Sequence, residues 1–220
     1  MGYQEVAITN GCYSFFTVTF KNIEGGEFDI QDIIVTSNGT PYTVDNKVKV
    51  QKVKANGDYD QQYNWRPSRG GWCRLSTYLG RNNVMLADGE GLCVYNGDSM
   101  ILSFRCSGEV NIEPMSTEVP VSCYKFIGNM TPCKVDIQDV IPYIGESAAT
   151  ADNAIKIQKI KGNGDYDQQW NWRPSRGGWC RLSTFLGRDK IYLEPGEGLC
   201  VYNGEKNDAI ALKFPSPISK

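Results

Sequence analysis

The sequence predicts an all-β chain built as two tandem homologous antiparallel β-sandwich, or barrel-like, domains, and three observations predict it. Sliding the 220-residue chain against itself by 107 positions aligns residues 50–97 with 157–204 without a gap, and 37 of the 48 pairs are identical. Apolar and polar residues alternate in short runs separated by Gly-Gly, Asn-Gly, Asp-Gly and Pro-Gly pairs, and no window of ten or more residues holds a helical period. Seven or eight such runs fit each half of about 105 residues, the spacing of a sandwich or barrel.

Taken in order, residues 13–20 and 29–36 read as strands, and Asp29-Ile30-Gln31-Asp32 recurs as Asp136-Ile137-Gln138-Asp139. Val48, Val50, Val53 and Ala55 then alternate with lysines, but the period slips at Gln51-Lys52, and again at Gln158-Lys159 in the second half. A β-bulge at each slip restores the faces. Asn56-Gly57 signals a hairpin into a strand over 59–66. A two-residue loop would pair Val53 with Asp60 and mix the faces, whereas a three-residue loop with Gly57 left-handed pairs Val53 with Tyr59 and is expected. It also sets Lys54 opposite Asp58 and Lys52 opposite Asp60, and in the second half Lys161 opposite Asp165 and Lys159 opposite Asp167. Further strands are expected over 72–76, 84–86, 92–95 and 100–105. The domains are placed at 1–110 and 117–220, with a linker over about 107–117 where Gly108 and Pro114 fall.

Composition removes several classes of function. With 23 basic and 25 acidic residues, a net charge of −2 and no long run of one sign, no nucleic-acid partner is expected. No stretch approaches the ~18 apolar residues of a membrane span, so no membrane insertion is expected. There is no histidine, which excludes Ser-His-Asp and Cys-His nucleophiles and His-ligated metals. No signal peptide is read within these residues; Met1-Gly2 reads as an addition ahead of a start near Tyr3.

Eight cysteines divide four and four, and three sites recur: Cys12 with Cys123, Cys73 with Cys180, and Cys93 with Cys200. An even count in a loop-rich β chain suits disulfides in an oxidising compartment, with buried free thiols as the alternative. The most economical bridges are Cys73–Cys93 and Cys180–Cys200, each 20 positions apart; the connectivity of Cys12, Cys106, Cys123 and Cys133 stays open.

Asn56, Asp58 and Asp60, repeated as Asn163, Asp165 and Asp167, have the alternate spacing that opens a calcium loop. The pattern fails beyond that, because Gln61 and Pro67 stand where an EF-hand needs Gly and Glu, and the hairpin already accounts for the aspartates. No cofactor is expected. Asp58, Asp60 and Glu90 also supply carboxylates for a glycoside hydrolase, but nothing in the sequence sets a pair across a cleft.

The most unusual segment, Trp65-Arg66-Pro67-Ser68-Arg69-Gly70-Gly71-Trp72, recurs letter for letter as 172–179. Pro67 and Gly70-Gly71 enforce a turn. Trp65, Arg66, Arg69, Trp72, Trp172, Arg173, Arg176 and Trp179 are therefore candidate binding residues, since Trp and Arg dominate protein interfaces and flat rings beside amides also stack on sugars. The alternative is that both Trp of each turn belong to the core, with the arginines stacked outside.

The string Leu193-Glu194-Pro195-Gly196-Glu197-Gly198-Leu199-Cys200-Val201-Tyr202-Asn203, with the opening Tyr124-Lys125-Phe126-Ile127-Gly128-Asn129, resembles β-rich repeat modules found in exported and surface proteins of bacteria. The resemblance covers the start and last third of each repeat; the cysteines and the Trp/Arg turn depart from it. It implies export and a non-catalytic module. The expectation is an extracellular or cell-surface structural protein whose duplicated turns bind a protein partner or a neighbouring copy. A bivalent carbohydrate-binding module is the runner-up, and a carboxylate-only glycoside hydrolase the third reading.

Overall fold

The computed structural model describes residues 2–21, 27–76, 81–110, 112–182 and 190–217. The first half holds β1 (Gly2–Ile8), β2 (Tyr13–Thr17), β3 (Phe20–Lys21), β4 (Phe28–Asp29), β5 (Ile34–Ser37), β6 (Thr40–Pro41), β7 (Val48–Val53), β8 (Tyr59–Arg66), β9 (Gly71–Arg74), β10 (Met85–Leu86), β11 (Gly91–Asn96) and β12 (Leu102–Val110). The second holds β13 (Met115–Val119), β14 (Tyr124–Gly128), β15 (Val135–Asp136), β16 (Ile141–Ile144), β17 (Ser147–Ala148), β18 (Ile155–Ile160), β19 (Tyr166–Arg173), β20 (Gly178–Arg181), β21 (Tyr192–Leu193), β22 (Gly198–Asn203) and β23 (Ile210–Phe214). The chain is all-β, with small antiparallel sheets set in a ring in the manner of a sandwich or barrel.

Each half closes its first sheet with its own first strand. β1 lies antiparallel on β12 from Gly2↔Gly108 to Ile8↔Leu102, and β13 lies on β23 from Met115↔Phe214 to Val119↔Ile210. β1 alternates buried Gln4 and Ile8 with exposed Tyr3 and Glu5, a pattern sequence reasoning passed over. The second sheet of each half runs β2-β11-β7-β8-β9 and β14-β22-β18-β19-β20. Its inner face carries Phe16, Val48, Val50, Trp65, Trp72, Leu92 and Val94 onto Leu102, Phe104 and Val35 of the first sheet. The second half builds the matching core around Ile155, Ile157, Trp172, Trp179, Val201 and Leu212. Such burial stabilises by about 25 cal/mol for each Å² of apolar surface removed from water.

The hairpin stands as expected. Val53 pairs with Tyr59, the register slips between Gln51 and Val53, and Gly57 takes φ +93° while its N–H donates to Lys54 O (2.9 Å). Ile160 pairs with Tyr166 after the same slip. Lys54 lies opposite Asp58 and Lys161 opposite Asp165 as expected, each N–H donating to the facing carbonyl (2.8 Å), but Lys52 and Lys159 do not follow their expected partners. Lys52 pairs with Glu90 (2.9 Å) and also donates to Met85 O, and Lys159 pairs with Glu197 (2.6 Å) and donates to Tyr192 O. A half-buried carboxylate and a neighbouring carbonyl each accept one of the ammonium's three donors, where exposed Asp60 or Asp167 offers a carboxylate still bathed in water.

Residues 29–36 are not one strand. Asp29 caps a single 3-10 turn over Ile30–Asp32, its carboxylate accepting from Gln31 N–H, before β5 begins. Met100 and Ile101 stay exposed ahead of β12. β12 runs on to Val110 and β13 starts at Met115, so strand occupies most of the segment read as a linker.

All eight cysteines are free, which corrects the expected bridges. Strand order supplies the reason. Cys73 lies on β9 and Cys93 on β11, with β7 and β8 between them. At about 4.8 Å per strand that is about 14 Å, twice the Cα separation a disulfide tolerates. Cys180 on β20 and Cys200 on β22 are separated in the same way.

The halves meet through reciprocal contacts. Tyr13 N–H donates to Gly162 O (2.8 Å) and Tyr124 N–H donates to Ala55 O (2.9 Å). Thr17 N–H donates to Gly196 O (2.9 Å) and Gly128 N–H to Gly89 O (3.3 Å). Phe15, Cys93, Phe126 and Cys200 form a small core between the halves, rimmed by Tyr13, Val53, Tyr124, Ile160 and Tyr166. Each of these backbone bonds made by one half is returned by the equivalent residue of the other, the form of a two-fold dimer interface.

Candidate functional site

In both repeats the Trp/Arg segment is a strand, a 3-10 turn and a strand. β8 pairs with β9 through Trp65↔Trp72 and Arg66↔Gly71, and Pro67–Arg69 form the turn, closed by left-handed Gly70 at φ +84°. Gly71 cannot be replaced cheaply: its φ is +146°, and a Cβ there would fall 2.4 Å from Gln31 Oε1. The second repeat reproduces the turn with Pro174–Arg176 and Gly177.

The four indoles are core, so Trp65, Trp72, Trp172 and Trp179 leave the set of candidate binding residues. Trp72 and Trp179 have no exposed surface, and Trp65 and Trp172 keep 7 % and 6 %. Each ring N–H is spent on a backbone carbonyl: Trp65 on Tyr42 (2.9 Å), Trp72 on Ile33 (2.9 Å), Trp172 on Ala149 (2.7 Å) and Trp179 on Val140 (2.8 Å). Within each repeat the two rings meet edge to face with centroids 5.4 Å apart. The strand alternation that points them inward turns Asn64, Cys73 and Gln62 to the other face.

That outer face carries a chain of amides ending at an arginine. Gln62 Nε2 donates to Asn64 Oδ1 (2.7 Å), and Asn64 Nδ2 and Arg66 Nε both donate to Asn46 Oδ1 (3.3 and 2.6 Å). Gln169, Asn171, Asn153 and Arg173 repeat the chain at 2.7, 3.1 and 2.6 Å. Arg66 is buried and Arg173 partly so, which makes them struts of the turn. Arg69 and Arg176 stand exposed at its tip.

A second brace holds the turn itself. Asp45 accepts from the Ser68 N–H (3.2 Å) and hydroxyl, and Asp152 from the Ser175 N–H (3.2 Å) and hydroxyl. The Ser175 hydroxyl bond, aided by the N–H, holds the Asp152 carboxyl below its ordinary range. On the far side the Gln31 amide donates to Trp72 O (2.8 Å) and accepts from Trp72 N–H (3.0 Å), as Gln138 does with Trp179. Asp45, Asn46 and Gln31 were not singled out in the sequence. The signal was present, since Asp-Asn recurs at 152–153 at the common offset of 107.

The calcium candidates serve the hairpin. Asn56 Nδ2 donates to Asp58 Oδ2 (2.7 Å) and Asn56 Oδ1 accepts from Asp58 N–H (3.1 Å); Asn163 and Asp165 repeat both bonds. An Asx turn therefore occupies the oxygens that suggested a metal. Asp60 and Asp167 stand exposed on β8 and β19. Among the described residues no three Cys, Asp or Glu side chains gather to hold a metal ion. Glu90 is taken up by Lys52 and by the Ala87 N–H (3.1 Å).

The thiols are placed by burial. Cys93 donates to the Tyr59 hydroxyl (3.8 Å) and Cys200 to the Tyr166 hydroxyl (3.7 Å), and burial pushes the two thiols up to about 11 and about 12. Cys106 is pushed up to about 12 by burial, with the Asp32 charge adding to the rise. Cys133 is exposed beside a cleft of about 400 Å³ in the second half, lined also by Thr131, Lys134, Gln138 and Asp139.

No protein-family model, curated protein or solved structure matches the chain.

Proposed function

We propose that the protein is a non-catalytic interaction protein with two equivalent docking turns, Pro67–Arg69 and Pro174–Arg176, that engage a protein partner or a neighbouring copy of the chain. One observation carries the reading: two letter-identical turns are each pinned by the same aspartate, asparagine and glutamine bonds, and each pinned turn presents an exposed arginine, Arg69 or Arg176. A preorganised arginine loses less freedom on binding than one on a loose loop. The carbohydrate alternative loses its main support with the indoles buried, because no flat Trp ring is offered to a sugar face. The hydrolase reading loses Asp58 and Glu90 to structural bonds. A cell-surface setting rests on the repeat-module resemblance alone, now that the cysteines are free.

The test is sedimentation of the intact chain over a wide concentration range, with retention on immobilised polysaccharide run in parallel. Self-association that weakens in Arg69→Ala and in Arg176→Ala, and disappears in the double variant, is the expected result. Two linked sites gain roughly a hundredfold or more over one, so each single variant loses most of that gain. Assembly indifferent to both arginines, or retention on polysaccharide that survives their loss, sinks the reading.

A further inference from the structure

The surface between the halves carries an inference independent of the arginine turns. Its contacts are reciprocal, but the residues at its centre are not the same on the two sides. Thr17 of β2 and Gly128 of β14 hold equivalent places, as their paired bonds to Gly196 O and Gly89 O show. A Cβ added at Gly128 would lie 2.5 Å from Thr17 Cγ2 and 2.9 Å from Thr17 Cβ, with Glu197 O at 2.7 Å. The backbone of Gly128 does not have the positive φ that calls for glycine, so the missing side chain answers a need for space.

The aromatic contacts of this surface would survive exchange of one half for a copy of the other, but the bond from the Thr117 hydroxyl to Asp88 O (3.2 Å) would not, because apolar Val6 stands beside Gly196 where Thr117 stands beside Gly89. Tyr13 packs on Gly164 as Tyr124 packs on Gly57, and Phe15 faces Phe126. Two first halves meeting through this surface would set a second threonine where Gly128 now stands, forcing two side chains into the space of one. Two second halves would face Gly128 with Gly128 and leave that space unfilled. Only unlike halves both fit and fill it.

We propose that this contact is a homodimer-type interface closed within one chain and keyed for unlike halves by Thr17 and Gly128, so that the occupant it fits from outside is the opposite half of a second copy.

Cysteine labelling of the native full-length chain tests the key, with Cys93 and Cys200 reporting on the interface and Cys73 and Cys180, buried outside that cluster, reporting on the fold. Gly128→Ala should raise the labelling rate of Cys93 and Cys200 at least tenfold. Adding Thr17→Gly should reverse most of that rise, leaving a residue due to Glu197 O; the same reversal is expected if Gly128→Ala also loosens Cys73 and Cys180. Native mass spectrometry of co-expressed Gly128→Ala and Thr17→Gly chains should detect complexes containing both, because each supplies the half the other fits. Gly128→Ala labelling at the parental rate, a double variant as reactive as Gly128→Ala, or co-expressed chains that never share a complex would each overturn the proposal.

Discussion

Phe15 and Phe126 face each other across the boundary between the halves, their ring centroids 4.4 Å apart and their planes tilted by 39°. Both are buried, at 4 % and 1 %, although each points away from the core of its own half. The boundary is therefore an apolar contact in its own right.

Truncating either ring should cost stability as a core substitution does. Phe126→Ala is expected to lose about 3–5 kcal/mol and Phe15→Ala a similar amount. The double variant should lose less than the sum, by about 0.5–1.5 kcal/mol for the ring pair. Urea unfolding of the four proteins measures it; strict additivity would mean that the rings do not support each other.

The arginines of each turn should separate by role. Arg66→Ala removes a buried strut bonded to Asn46 and should destabilise by about 1–3 kcal/mol. Arg69→Ala alters an exposed tip and should stay within about 0.5 kcal/mol. Equal losses in thermal unfolding would remove the distinction between strut and contact residue.

Acid should weaken the fold through two carboxylates held below their ordinary range, Asp98 by the Tyr42 hydroxyl and Asp152 by the Ser175 hydroxyl. A carboxyl whose folded pKa is depressed binds protons less readily than in the unfolded chain. Its contribution is complete above the ordinary carboxylate value of about 4 and is lost as pH falls through the depressed folded value. Melting temperatures on this account stay level between pH 7 and 5 and fall below about pH 4. Asp98→Asn should melt lower at neutral pH and lose less on acidification; a parallel curve would exclude the linkage.

Thiol counting checks the cysteine correction. The unreduced, denatured chain should alkylate at eight positions, and the native chain first at Cys133, then at Cys12 and Cys123, and last at the five buried thiols. A mass deficit of two hydrogen atoms per bridge in the unreduced protein would reinstate disulfides.

The hairpin was legible because everything that decides it is local. The slip at Gln51-Lys52, the Asn-Gly pair and the alternation up to Trp65 lie within a few residues of one another, and the pairing of Val53 with Tyr59 follows from faces alone. The Asx turn at Asn56 and Asp58 was local too, but the same spacing serves a metal or a turn, and only the bonded partners tell them apart.

By itself, then, the sequence determined the duplication, the β class, the bulged hairpin and the turn at Pro67, all consequences of short-range stereochemistry and repeated spacing. Tertiary structure decided the rest. Insertion of β7 and β8 between Cys93 and Cys73 rules out their bridge, and no local rule specifies a strand order that departs from chain order. Burial of Trp65 and Trp72 required the opposing sheet to supply Phe104, and the segments flanking β5 and β6 to supply the carbonyls of Ile33 and Tyr42. The contact of Phe15 with Phe126 joins residues more than a hundred positions apart, and it exists because each half leaves an apolar outer edge that only the other half keeps from water.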